Sequence, residues 1–146
     1  MDVGIILDQT LALETDEWTA VLRLLTRVVN GLGVSAASDG ARIGLIRFTS
    51  NPSIPLYFNT LKDEHLSPDT VNKFIDKISQ SQGVRRIDLA LQSAATDLFS
   101  QKGGSRAGAK KVMQLTIVDN KSLDSTVEAP CATTSHKRRS CPFRKR

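Results

Sequence analysis

The sequence predicts an α/β open sheet, mostly parallel, with one antiparallel edge strand and helices on both faces. Three observations lead there. Two short apolar runs, residues 3–7 and 112–118, each stop at an aspartate, Asp8 and Asp119, and continuous apolar runs of that length mark strands buried on both faces. Amphipathic helical patterns separate them, as crossover connections require. A third strand pattern is followed so closely by a fourth that only a hairpin can join them.

Taken in order, residues 3–8 form the first strand, and polar groups just past such a strand's C-terminal end line the ligand crevice of open α/β sheets. Asp8 and Thr10 fall there. Trp18, Val21, Leu22, Leu25, Val28, Val29 and Leu32 then recur at helical spacing over 17–32. Thr15 or Asp16 is the expected cap, and Gly31 and Gly33 stop the helix. Residues 42–48 alternate as a strand. Residues 53–58 follow as a short edge strand, antiparallel because the gap is too short for a crossover, and Pro52 and Pro55 suit an edge. Ser67-Pro68-Asp69-Thr70 opens a second helix with a capping serine and proline at its first position. Its stripe is Val71, Phe74, Ile75 and Ile78. After a turn at 81–83, Ile87, Leu91, Ala94, Ala95 and Leu98 are expected to face inward from a third helix, with Asp88 as its expected cap. A Gly-rich basic loop, 102–111, feeds the strand that ends at Asp119.

Composition bounds the function. With 146 residues, 40% hydrophobic and 24% charged, the chain suits one globular domain. Its net charge of +5 is concentrated in Lys137, Arg138, Arg139, Arg144, Lys145 and Arg146; the rest carries 14 basic and 15 acidic side chains. The division expected is a folded unit over 1–123 and a disordered basic tail over 124–146, where apolar periodicity stops. Cys131 and Cys141 lack the paired spacing of a zinc site. No run approaches the ~20 apolar residues of a membrane span, and no signal peptide is recognisable. His65 and His136 have no neighbouring nucleophile and no triad-like set stands out, so an enzyme is not expected.

The two aspartate-ending strands, the helix spacing and the segments Arg42-Ile43-Gly44-Leu45-Ile46-Arg47-Phe48 and Arg86-Ile87-Asp88-Leu89-Ala90-Leu91 together resemble a von Willebrand factor type A domain over residues 2–123. The resemblance implies a Rossmann-like three-layer sheet and a non-enzymatic, extracellular adhesion module that binds a protein ligand, such as a matrix component. Many such domains hold a divalent cation with an Asp-x-Ser-x-Ser loop, a later Thr and a further Asp. Here Asp8, Thr10 and Asp119 match oxygen-bearing positions of that set, for Mg²⁺ or for Mn²⁺ or Ca²⁺. Ala12 has no oxygen, and the later Thr falls at or next to Arg85 in Gln82-Gly83-Val84-Arg85-Arg86. The expectation is therefore a degenerate site in which Arg85 or Arg86 supplies a fixed countercharge, with tight metal binding the less favoured outcome. The family's last strand-helix units have no counterpart in 124–146. The Asp119 strand is thus expected to be a sheet edge open to self-association, in a chain shortened at its C-terminus. A different class of function, binding of nucleic acid or another polyanion, would use the six basic tail residues with the body as scaffold.

Overall fold

A computed structural model describes residues 1–118. Asp119, both cysteines and the basic tail lie outside the described residues, as does the expected boundary at 123. Strand β1 (Asp2–Asp8) leads to helix α1 (Thr15–Gly31), strands β2 (Arg42–Phe48) and β3 (Pro52–Leu56), helix α2 (Pro68–Ile75), helix α3 (Ile87–Ser93) with a π-helical turn at Ala94–Leu98, and strand β4 (Lys111–Thr116). The sheet order is β3-β2-β1-β4. β1 is central and parallel to both β2 and β4, and β3 pairs antiparallel with β2.

Period-2 alternation divides β1 between two cores. Val3, Ile5 and Leu7, with Ile43 and Leu45 of β2, pack under α1 and α2 against Trp18, Leu25, Val29, Val71 and Ile75. The opposite face is led by Ile6, Ile46 and Phe48, covered by Phe58, Ala90, Ala94 and Leu98. Gly4 and Gly44 are register partners. A Cβ on Gly4 would lie 2.8 Å from Phe99 Cζ, and one on Gly44 would lie 2.5 Å from Leu98 Cδ1. The paired glycines therefore let α3 and its π turn sit close on the sheet.

Several boundaries differ from the sequence reading. The cap of α1 is Glu14, whose backbone N–H donates to Glu17 Oε2 at 3.0 Å, instead of Thr15 or Asp16. The hairpin strand starts at Pro52 and ends at Leu56, leaving Phe58 free to turn into the core. Ser67 caps α2 by accepting from Thr70 N at 3.2 Å. In α3 the inward residues are the half-buried Ile87 and the buried Ala90, Ala94 and Leu98, while Leu91 and Ala95 are exposed. Gly4 and Gly44 make room for the large side chains of Leu98 and Phe99, and the inward spacing of four residues runs from Ala90 through Ala94 to Leu98 in the π turn. Leu91 and Ala95 are left beside β4, whose Met113 and Leu115 are also exposed. Asp88 sits in the first turn of α3 and Arg86 takes the cap position. Among the described residues no helix is long and apolar enough to cross a membrane.

Candidate functional site

The C-terminal end of β1 delivers Asp8 fully buried, on the face that looks toward α3. Its Oδ1 accepts from the Thr10 backbone N–H at 2.9 Å and from Thr10 Oγ1 at 2.5 Å. Its Oδ2 accepts from Val118 N at 3.3 Å and lies 2.5 Å from Arg85 Nε. The Nε–H is not aligned with that oxygen, so the contact is a close ion pair and not a directed hydrogen bond. Arg85 also donates from Nη2 to the Val118 carbonyl. One guanidinium thus joins the ends of β1 and β4, parallel neighbours whose C-termini lie side by side.

Backbone stitching brings Arg85 there. Ser81 N donates to Gln9 O at 2.8 Å and Leu11 N to Ser81 O at 2.9 Å. Farther along, Arg86 N donates to Thr49 O at 3.0 Å and Val84 N to Ser50 Oγ at 2.9 Å. Gly83 makes the passage possible: at φ 156° its missing Cβ would fall 2.7 Å from Thr49 Cβ. Gln80 grips the β1–α1 loop, accepting from Ala12 N and Leu13 N at 3.2 and 3.1 Å and donating to Leu13 O at 2.9 Å.

Of the residues marked by sequence, Asp8, Thr10 and Arg85 therefore converge. Ala12 contributes backbone alone. Arg86 turns away and forms a bidentate pair with Asp88, Nε to Oδ1 at 2.9 Å and Nη2 to Oδ2 at 2.6 Å. That hydrogen-bonded guanidinium holds the Asp88 carboxyl down at about 2. Sequence reasoning passed over Gln80, whose side-chain amide mimics a strand partner without a local pattern to announce it. It also passed over a second buried carboxylate, Asp2, at the opposite end of β1. Asp2 accepts from Arg106 N at 2.7 Å and Arg106 Nε at 2.8 Å. A charged residue directly before an apolar run is the signal that marks it in retrospect.

The comparisons agree with this architecture. The family model described as "von Willebrand factor type A domain" matches residues 2–138, and the chain belongs to that family. Among curated proteins it is similar to vitrin from Bos taurus, 26% identical over 129 residues that make up 88% of this chain and 19% of that protein. Vitrin from Homo sapiens is 24% identical, over 88% of this chain and 18% of the relative. The chain thus spans about a fifth of the length of the curated relatives it matches. Among solved structures, proximal thread matrix protein 1 from the mussel byssus superposes with a TM-score of 0.68 at 16% identity, over 78% of this chain and 29% of the other. A second structure of that protein, described as having a zinc-occupied MIDAS motif, gives 0.66 at 18% identity, over 78% and 27% of the two chains. These structural likenesses establish the fold. Domains of this family are commonly protein-interaction and adhesion modules.

The described residues at this edge do not fit a resident divalent cation. Mg²⁺ needs near-octahedral oxygen ligands. Both Asp8 oxygens are already engaged, by three hydrogen-bond donors in all, and a guanidinium nitrogen stands 2.5 Å from the oxygen a cation would use. Among the described residues no group of three His, Cys, Asp or Glu side chains is placed to hold a metal.

Proposed function

We propose that this chain is a non-enzymatic, extracellular interaction module that binds a protein ligand, a matrix component by family likeness, through the loops at the C-terminal edge of its sheet. The observation that carries the reading is the surface beside the Asp8–Arg85 pair. Leu11 and Val84, 57% and 68% exposed, stand in the two loops that the Ser81 hydrogen bonds join. Large apolar side chains exposed around a buried polar centre are a recurring feature of interaction sites. Asp8, Thr10 and Arg85 tie the two loops to the ends of the strands beneath that surface.

The test is surface binding of the intact chain to a panel of extracellular-matrix proteins, in Mg²⁺ and in EDTA, alongside the double variant Leu11→Asp/Val84→Asp. Binding that the double variant loses while its melting temperature is unchanged supports the reading. Binding that ignores the double variant, but collapses with salt or on replacing the six basic residues Lys137, Arg138, Arg139, Arg144, Lys145 and Arg146, sinks it in favour of polyanion binding.

A further inference from the structure

We infer that Arg85 replaces the divalent cation as a tethered positive charge, and that its outward nitrogen receives a carboxylate of the ligand without metal. This rests on the C-terminal edge being the binding surface. The guanidinium has an inner and an outer side. On the inner side Nε faces Asp8 Oδ2 and Nη2 donates to the Val118 carbonyl. The remaining nitrogen, Nη1, has no acceptor among the described residues, and the side chain is 28% exposed while Asp8 is fully buried. An arginine already fixed in place loses little further freedom when it binds, and its planar N–H donors match the oxygens of a carboxylate. Val84, its chain neighbour, and Leu11, in the loop joined to the same segment through Ser81, would shield the contact from water and strengthen the attraction. A carboxylate fits better than a phosphate. The Arg85 charge is already shared with Asp8, and the neighbouring Arg86, which a dianion would need, is committed to Asp88.

The experiment follows the Arg85 Nε–Hε resonance of the intact ¹⁵N-labelled protein in EDTA, assigned by its loss in Arg85→Gln. Sodium acetate is titrated against sodium chloride of equal ionic strength and against inorganic phosphate, with Val84 and Leu11 backbone amides as second reporters. The expected result is a saturable shift with acetate, unmoved by added Mg²⁺. The backbone response should vanish in Arg85→Gln, weaken several-fold in Arg85→Lys and weaken about tenfold in Leu11→Asp, which sets a competing carboxylate beside the guanidinium. No acetate response, an equal response to chloride, a stronger one to phosphate, a requirement for Mg²⁺, or persistence in Arg85→Gln would each overturn the inference. If Arg85→Gln does not fold, Leu11→Asp decides, since it leaves Arg85 in place. Protein binding that survives Arg85→Lys and Arg85→Gln unchanged defeats this inference and leaves the interaction surface standing; an acetate response in a chain that binds no matrix protein does the reverse.

Discussion

The two ends of β1 carry the same chemistry put to different ends. Asp2 and Asp8 share one face of the strand by alternation, both are fully buried, and each meets an arginine. Those arginines flank the same helical segment, Arg85 just before α3 and Arg106 after its π turn, so two ion pairs strap that segment across the central strand. The lower pair is closed. Arg106 gives its backbone N–H and Nε to Asp2, Nη2 to Met1 O and Gly40 O at 2.7 and 3.0 Å, and Nη1 to Ser38 O at 3.3 Å. Among the described residues the upper pair is open, with no acceptor for Nη1 of Arg85. The difference teaches that a buried salt bridge is not by its presence a functional site; the donor with no internal acceptor separates a strap from a recognition group.

The largest effect should come from the closed end. Arg106→Ala leaves Asp2 buried without its guanidinium partner and removes three carbonyl contacts, so a loss of about 3–5 kcal/mol is expected in urea unfolding. A loss near zero would erase the structural half of the contrast. Arg85→Thr should cost less, about 1–3 kcal/mol, because Asp8 keeps Thr10 N, Thr10 Oγ1 and Val118 N as donors. The same variant relieves Oδ2 of the guanidinium, leaving it only the Val118 N–H, and adds a hydroxyl, so it should acquire a rise in melting temperature with Mn²⁺ that the unaltered protein lacks. A metal-dependent rise in the unaltered protein that is lost in Asp8→Asn would break the comparison.

Thr10→Val removes one hydroxyl donor from Asp8 and should cost about 1 kcal/mol. Asp88→Asn should be the mildest, since that pair is exposed. The Asp88 carboxyl is held at about 2, below the ordinary carboxylate value. Its small contribution is therefore present above about pH 4 and is lost as pH falls toward 2. Melts of the variant and the unaltered protein should differ slightly at pH 7 and converge at pH 2.

The fold was legible because its strands obey simple patterns. A continuous apolar run placed β1 at the buried centre, Ser67-Pro68 announced α2, and the short gap before Pro52 dictated a hairpin. β4, read from a similar run as buried on both faces, is among the described residues the edge beside β1, with every second side chain exposed. The third helix was read less well, because its inward face depends on Gly4 and Gly44, which lie far away in sequence. The site was half legible. Asp8 and Thr10 are local, two residues apart, and follow from strand-end logic. Which of two adjacent arginines reaches Asp8 was open, since that depends on the Ser81 and Thr49 backbone contacts that set the rotation of the chain at 85 and 86.

By itself the sequence determined the α/β class, the parallel centre with its antiparallel edge, and the convergence of polar residues at one end of the sheet. These follow from period, run length and gap length, all local quantities. Only the tertiary structure decided that Arg85 is inserted against Asp8 while Arg86 is spent on Asp88, and that Asp2 and Arg106 mirror the pair at the far end. Those outcomes depend on which donors remain unmatched after the chain has packed, a count that exists only in three dimensions.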